Sequence, residues 1–391
     1  MSYKKFYQGF LNANPGVQHF ACHSHHYWPD VTRSAALQYW DDSARLVDDK
    51  WGLVFGEKVP KVQQQIAGIL GLQHHEQLVF APNTHELLFR LLSCFDWTKP
   101  VKILTTDSEF HSFSRQIKRL AELPQIELVQ VETLPFVDFT TRFAEAAQKL
   151  QPDLVFCSQV FFNSGLAIAD LTAFVSTIEA ACKATIAIDG YHGFMALPTN
   201  LEALEGRIFY LAGSYKYAQG GEGCCFMLVP KNNKFRPLYT GWFAEFGTLA
   251  DAKTSKVQYS SDGYQFAGAT MDFTALYRLE AVLDLYAAEG ISVAVVHRHV
   301  QQLQQAFLAE LKAQQHPLLN EQQLLCTDLQ NHGHFFTFRL ENAAKVAELS
   351  AYLKQHGIHT DYRGDRLRFG FALYHDASDY DLSCLSLRRG E

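Results

Sequence analysis

The chain of 391 residues is 48% apolar and 19% charged, a composition that supports a large packed core and argues against long disordered segments. Its net charge of -7, without a long run of like charges, argues against nucleic acid as the main partner. The chain lacks the roughly 18 consecutive apolar residues of a membrane span and the apolar start of a signal peptide, so we expect a cytoplasmic protein with no membrane partner.

The eight cysteines are spread along the chain, and only Cys224 and Cys225 are adjacent. No CxxC pair occurs, so the sequence predicts neither a zinc site nor a disulfide framework, and we expect no bound metal. Reduced thiols are typical of a cytoplasmic protein.

The first two-thirds of the chain alternates helical and strand patterns. Helices are predicted over "VTRSAALQYWDDSARLVDDKW" at 31–51 and "NTHELLFRLLSCF" at 83–95, where Asn83 and Glu86 fit a capping box. Six strand candidates follow: "VKILTTD", "IELVQVE", "DLVFCSQV", "ATIAIDG", "IFYLAGS" and "CCFMLVP". Amphipathic stretches separate most of them, which predicts a mainly parallel α/β sheet covered on both faces. The direct passage from "IFYLAGS" to "CCFMLVP" predicts one antiparallel member.

The pattern changes near residue 272, where two long helices precede "HFFTFRL", another helix and "RLRFGFAL". This order is typical of a smaller α+β unit with antiparallel strands. We therefore predict a large α/β domain over 15–268 and a small C-terminal domain over 269–391. An N-terminal arm, 1–14, is expected to pack with the small domain.

Polar and aromatic residues follow the ends of the predicted strands, where open α/β sheets bind their ligands. These residues are Asp189 and His192, Lys216, Asn163, Phe110 and, at the start of a helix, Thr84. A lysine can form a Schiff base with an aldehyde, and an aspartate can hold a protonated pyridine nitrogen. A helix N-terminus suits a phosphate, and an aromatic ring can stack on a heteroaromatic cofactor. Together these are the requirements of pyridoxal 5'-phosphate (PLP).

Four motifs carry a family resemblance: "DGYHG", "GSYKYAQGGEG", "GWFAEF" and "RLRFGFALYHD". They resemble the class V aminotransferase superfamily of PLP enzymes, and are most similar to its kynureninase branch, over roughly residues 75 to 385. The resemblance implies the PLP-dependent transferase fold type I, PLP as cofactor, an amino acid substrate and a homodimer.

The resemblance also implies roles around the cofactor ring. Lys216 would bond covalently to the cofactor aldehyde, and Asp189 would pair with the pyridine nitrogen. His192 would lie near the O3' side of the ring and the phosphate. Phe110 would stack on the ring, and Asn163 would approach O3'.

Further positions match the phosphate and substrate sites of the family. Thr84, Ser214 and Tyr215 would hold the phosphate. Thr270, in "FAGATMDF", matches a residue that reaches the phosphate of the partner subunit. Arg368 matches the arginine that binds the substrate α-carboxylate, for which a bidentate guanidinium is well shaped.

The segment "CHSHHYWPD" at 22–30 departs from the family pattern and has three interpretations. His23 and His25 would share a face of an extended chain, but a metal site needs a third ligand that the sequence does not identify. The segment could instead line the mouth of the substrate site, as its equivalent does in the family, or only pack and lead into the next helix. His85 and His111 have no spaced partner, and we expect structural or exposed roles for both.

Three functions compete. The motifs favour a kynureninase-like enzyme that hydrolyses a Cβ–Cγ bond; an aminotransferase or another PLP-dependent lyase is the alternative. A non-catalytic binding protein is disfavoured because Lys216, Asp189 and Arg368 are all present. A cysteine desulfurase is disfavoured because "AYLKQHGIHTDYRGDRLR", which leads to Arg368, contains no cysteine.

Overall fold

A seven-stranded sheet forms the centre of the protein, whose computed structural model describes residues 2–248, 255–325 and 328–386. The sheet order is β2-β8-β7-β6-β5-β3-β4, and all its strands run parallel except β8, which is antiparallel to both β2 and β7. The predicted α/β fold class and the single antiparallel strand are confirmed. The strands are β1 (Gln18–His19), β2 (Leu78–Ala81), β3 (Val101–Thr106), β4 (Ile126–Val131), β5 (Leu154–Ser158), β6 (Thr185–Asp189), β7 (Ile208–Gly213), β8 (Cys225–Leu228), β9 (Phe335–Arg339), β10 (Ile358–His359), β11 (Asp361–Arg363) and β12 (Arg366–Gly370).

Helices connect the parallel strands and cover the sheet. The predicted helix over 31–51 is broken at Val47, whose φ of 52° ends α2. No helix in the described ranges is both long and apolar enough to cross a membrane. The helices are α1 (Gln8–Ala13), α2 (Val31–Leu46), α3 (Lys50–Leu53), α4 (Val59–Leu70), α5 (Thr84–Leu92), α6 (His111–Leu120), α7 (Phe139–Leu150), α8 (Leu171–Ala181), α9 (Thr274–Ala288), α10 (Val293–Gln314) and α11 (Ala343–Gln355).

The central strands are buried on both faces, which explains their continuous apolar sequences. Every residue of β5 and of β7 is buried, as expected for parallel strands with helices on both sides. The sequence did not predict β2, a four-residue apolar run, because so short a run cannot be told from a helix segment by periodicity.

A second, smaller sheet of order β11-β12-β9 is antiparallel and packs with α10 and α11. The N-terminal region joins this unit, since β1 pairs in parallel with β10 and Phe20 lies in its hydrophobic cluster. Helix α9 packs instead in the cluster of the large sheet. The division into 15–268 and 269–391 remains a prediction; these clusters group Phe20 with the C-terminal unit and α9 with the large one.

Candidate active site

A cavity of about 200 Å³ lies beyond the carboxyl ends of the parallel strands. Six of the residues predicted for the site line it: Lys216, Asp189, His192, Phe110, Thr84 and Tyr215. They come from the ends of β7, β6 and β3 and the start of α5, elements that are far apart in sequence. Neighbouring strands of a parallel sheet end at the same edge, and this brings the residues together.

Lys216 is buried three residues beyond the end of β7. Its Nζ contacts Nε2 of His192 and lies 5.0 Å from the centre of the Phe110 ring and 5.5 Å from that of Tyr191. Burial lowers the pKa of Lys216 to about 7; the carboxylate of Asp189 opposes this shift and the guanidinium of Arg368 adds to it. A large fraction of the amine is therefore uncharged at neutral pH, as nucleophilic attack on an aldehyde requires.

Asp189 is the last residue of β6, and its Oδ1 accepts a hydrogen bond of 2.8 Å from the backbone N–H of Tyr191. Burial raises the pKa of this carboxyl group, while the Tyr191 hydrogen bond and the charge of Lys216 lower it. A carboxylate fixed in a buried cavity wall is stabilised by a cationic partner, so the position suits a protonated pyridine nitrogen.

Glu109 is a buried acid that the sequence reasoning missed. Its carboxyl group accepts hydrogen bonds from Thr106 Oγ1 at 2.6 Å and from Ser158 Oγ at 2.5 Å. Burial raises the pKa of Glu109 to about 8, and the charge of Asp189 adds to the effect. These bonds tie the turn after β3 to the end of β5 and so fix the adjacent Phe110. Glu109 could have been recognised from the sequence, because it directly precedes Phe110 just after a predicted strand.

His192 is buried beside Lys216. The pKa of its imidazole is lowered by burial and by the charges of Lys216 and Arg368, so the ring is neutral. Within the described part of the chain its Nδ1 has no hydrogen-bond partner. A buried polar atom without a partner is costly, and a ligand that supplies one is favoured here.

The N-terminus of α5 forms one end of the cavity. Asn83 accepts a hydrogen bond of 2.9 Å from the backbone N–H of Glu86, which confirms the predicted cap, and Thr84 follows as the first helical residue. Gly223 also lines the cavity, and its φ of 108° is accessible mainly to glycine. A helix start is suited to a phosphate because its first N–H groups have no partner within the helix.

Two residues predicted to hold the phosphate do not line the cavity. Ser214 is fully buried, and its hydroxyl donates to the backbone carbonyl of Gly221 at 2.5 Å. Thr270 is exposed on the surface. Their phosphate roles remain predictions, and Thr270 was predicted to act only across a subunit boundary.

Asn163 lies beside the cavity, and its Nδ2 donates to Ser108 Oγ at 3.0 Å. Its Oδ1 is buried and, among the described residues, has no hydrogen-bond partner. The predicted approach of Asn163 to the O3' atom remains a prediction.

Arg368 lies on β12 and is buried between the two sheets. One terminal nitrogen donates to the backbone carbonyl of Phe162 at 2.6 Å, and the other pairs with Oδ2 of Asp361, its cross-strand partner on β11. Its Nε is buried and has no partner in the described ranges, which leaves a donor for a carboxylate. Asp361 was missed because its register opposite Arg368 cannot be read from the sequence.

The N-terminal segment 22–28 lies beside these predicted site residues. Ser24 Oγ bonds to Asp361, and the ring of His23 stacks on Phe335 at 4.8 Å between centres. His25 bonds through Nδ1 to the hydroxyl of Tyr215. No group of three or more His, Cys, Asp or Glu side chains suited to a metal ion occurs in the described residues. The segment thus contacts the cavity wall through Tyr215, and its place at the substrate mouth remains a prediction.

An uncharged buried lysine, a fixed carboxylate, a stacking aromatic ring and a helix N-terminus surround one cavity, and these groups fit PLP. Fold and site together define a PLP-dependent enzyme of fold type I. The family model described as Aminotransferase class-V matches residues 30–368, so the chain belongs to this family of PLP-dependent enzymes that act on amino acids.

Solved structures of several enzymes share the fold. A cysteine desulfurase from Thermococcus onnurineus NA1 is 17% identical with a TM-score of 0.78, over 97% of this chain and 95% of the other. The cystine C–S lyase C-DES is 17% identical with a TM-score of 0.80, over 95% and 96%. The cysteine desulfurase CsdA from Escherichia coli is 14% identical with a TM-score of 0.76, over 96% and 94%. A variant of C-DES carries glycine covalently linked to its PLP cofactor. No curated protein matches the chain.

The class V superfamily and the PLP cofactor implied by the resemblance are confirmed. The kynureninase branch has no such support, because the similar structures described above are desulfurases and a C–S lyase. At 14–17% identity these structures establish the fold alone.

Proposed function

We propose that the protein is a PLP-dependent lyase that breaks the bond between Cβ of an amino acid and its substituent. The observation that carries this proposal is the presence of Tyr215 in the cavity wall. Tyr215 directly precedes Lys216 in the chain and lines the same cavity, where it is a proton-carrying residue in addition to the lysine. Transamination moves one proton between two carbon atoms and can use a single base, whereas cleavage at Cβ also needs a proton for the departing group or for Cβ itself.

Each residue of the site has a separate role in this reaction. Arg368 binds the α-carboxylate and orients the substrate. Bound PLP withdraws electrons from the substrate's α-carbon and makes its hydrogen acidic. Lys216 takes up that proton as a general base, and Tyr215 supplies a proton at the scissile bond. His192 contacts the amine of Lys216, and the Phe110 ring lies 5.0 Å from it, so both surround the reacting group.

A desulfurase that uses a cysteine nucleophile is disfavoured. Cys225 lines the cavity, but it is buried in β8 and its thiol lies 3.3 Å from the Tyr191 hydroxyl. Burial raises the pKa of Cys225 to about 12, so the nucleophilic thiolate is not populated at neutral pH. The other cysteines of the described residues do not line the cavity, and Cys326 lies outside those residues.

Two forms of Cβ cleavage fit this arrangement. Elimination at a Cβ–S bond needs no cysteine on the enzyme, and the similarity to a cystine C–S lyase supports it. Hydrolysis of a Cβ–Cγ bond in a γ-keto amino acid is the second candidate. It is favoured by "GSYKYAQGGEG", which resembles the kynureninase pattern.

The products separate these reactions. The enzyme would be incubated with cystine and S-alkylcysteines, with kynurenine and 3-hydroxykynurenine, and with amino acid and keto acid pairs. Pyruvate and ammonia indicate elimination, together with a persulfide from cystine or a thiol from an S-alkylcysteine, and alanine with an aromatic acid indicates Cβ–Cγ hydrolysis. Ping-pong kinetics with two substrates and no Cβ product would overturn the proposal in favour of a transaminase.

A further inference from the structure

We infer that His25 is a positioning residue for Tyr215 and returns to it the proton that Tyr215 delivers at Cβ. The inference rests on the proposed function and assigns a role to the segment 22–30, which neither the fold nor the cofactor site explains. The inference gives His25 a role that His23 does not share, because His23 faces Asp361 and Phe335 instead.

The two side chains meet edge to face at the mouth of the cavity. Their ring centres are 5.4 Å apart with an angle of 85° between the planes. The Tyr215 hydroxyl bonds to Nδ1 of His25, and Nε2 lies 3.3 Å from the same oxygen. The hydroxyl is thus within reach of both ring nitrogens, and a small rotation of the exposed imidazole would bring one of them in line with the O–H bond.

The charges around Tyr215 determine where the proton resides. Burial raises the pKa of Tyr215 to about 12, and the carboxylates of Glu222 and Asp361 add to the shift. The hydroxyl therefore carries its proton at neutral pH, and a phenolate left after donation would be reprotonated at once by a suitable source. Lys216 is not that source, because the proposed function assigns it to the α-proton.

His25 is suited to be that source because it reaches both water and the cavity. Its side chain is exposed, while Tyr215 is half-buried. Its backbone is held in place, since its carbonyl oxygen lies 2.7 Å from Nε2 of His19 and the preceding Ser24 bonds to Asp361. The segment therefore fixes the imidazole at the hydroxyl on one side and leaves it in contact with solvent on the other.

The proton balance of the step closes with water as the only other reactant. In elimination the Cβ–S bond breaks, the departing sulfur takes the proton of Tyr215, and Lys216 passes the Cα proton to solvent. In hydrolysis water adds to Cγ, the Cβ–Cγ bond breaks, Cβ takes the proton of Tyr215, and Lys216 returns its proton to Cα, as the product alanine requires. In both reactions the phenolate oxygen takes a proton from a ring nitrogen of His25, and His25 takes one from water.

The test compares His25→Gln and Tyr215→Phe with His356→Gln, which alters an exposed histidine at the C-terminal end of α11. Two rates are measured on the PLP-loaded enzymes: exchange of the substrate α-proton in heavy water, and release of the Cβ product. We expect exchange within about twofold of wild type in His25→Gln and His356→Gln, because Lys216 and Tyr215 are unchanged in both. Product release should fall about 100-fold in Tyr215→Phe and at least 10-fold in His25→Gln. The variant that carries both His25→Gln and Tyr215→Phe should release the Cβ product no more slowly than Tyr215→Phe alone.

Chemical rescue separates a proton role from a structural one. Added imidazole should accelerate product release by His25→Ala at least about fivefold, because the exposed site admits it, and should leave Tyr215→Phe unchanged. Product release at wild-type rate in His25→Gln, an equal loss of exchange and product release, or absence of rescue would each overturn the inference. If the wild-type enzyme exchanges the α-proton but forms no Cβ product from any substrate, the proposed function fails and the inference falls with it.

Discussion

Lys216 owes its reactivity to its surroundings. A lysine amine in water is protonated well above neutral pH, whereas burial lowers the pKa of Lys216 to about 7. The lysine could be identified from the sequence because a glycine-rich turn follows it and Asp189 and His192 precede it. Its pKa could not, because desolvation and the charge of Arg368 depend on the packing of two sheets.

The pH dependence of PLP attachment should reveal this pKa. The uncharged amine is the nucleophile, so the rate at which the apoenzyme binds PLP should rise about tenfold per pH unit below pH 7 and level off above it. Arg368→Leu removes a positive charge that lowers the pKa of Lys216, so the plateau of the rate should begin at higher pH in this variant. The control Arg339→Leu removes an arginine of an exposed ion pair and should leave the pH of the plateau unchanged.

Borohydride reduction followed by peptide mapping checks which amine reacts. The adduct should be found on Lys216. Attachment to another lysine, or a rate that continues to rise to pH 10, would contradict the assignment.

Asp189→Ala should retain part of the bound PLP but lose most turnover. The carboxylate keeps the pyridine nitrogen protonated, and only a protonated ring is a strong electron sink. A loss of at least about 100-fold in kcat is expected, measured together with the absorbance of bound PLP. Asp107→Ala, which removes another carboxylate after a strand end, serves as a control. Near wild-type turnover by Asp189→Ala would disprove the role.

Among the elements, those with long periodic patterns were predicted best. The strands from β3 to β8 and helices α5 to α8 were recognised because each has a continuous apolar or amphipathic pattern. The two-residue strands β1 and β10 and the short β11 carry no pattern of their own. These strands form because tertiary packing aligns them. Since they could not be predicted, the sequence also did not reveal that Ser24 and Asp361 lie at the site.

Close packing between β12 and the N-terminal segment gives an element-scale prediction. A Cβ atom on Gly370 would lie 2.6 Å from Nδ1 of His23 and 2.8 Å from Sγ of Cys22. Gly370→Ala should therefore displace the segment and destabilise the fold by about 1–3 kcal/mol. Thermal unfolding would measure the loss, and limited proteolysis would show earlier cleavage near residues 22–28.

Gly206→Ala is the matched control, since nothing lies within 4 Å of the added Cβ atom. It should unfold within about 0.5 kcal/mol of wild type. Equal stability of the two variants would mean that the segment does not pack on β12 in solution.

For the whole molecule, an exposed aromatic patch indicates where a second subunit would bind. Trp242 is 45% exposed and Tyr239 49%, and the ring of Phe89 lies 4.8 Å from that of Tyr239. Trp242 lies three residues after Tyr239 in the chain, and exposed apolar side chains of this kind can mark an interface. The sequence predicted a homodimer from the resemblance of Thr270 and "GWFAEF", and Trp242 belongs to that motif.

We expect a dimer in sedimentation velocity experiments, and dissociation of Trp242→Glu into monomers, because the substitution places a charge in an apolar interface. Val137→Glu, which adds a charge at a 95% exposed valine outside the patch, should remain dimeric. A wild-type enzyme that is monomeric and fully active would contradict the prediction.

The pairing of β1 with β10 affects how the enzyme is made in the cell. The ribosome synthesises Ser24 and His25 early, but their anchoring partners on β10, β11 and β12 emerge more than 300 residues later. During translation the central sheet can form while the N-terminal segment still lacks its binding surface. The candidate site is therefore completed late, by contacts between segments more than 300 residues apart, and such long-range contacts form slowly. A nascent chain arrested before residue 358 would hold Lys216 but not the contacts that close the site.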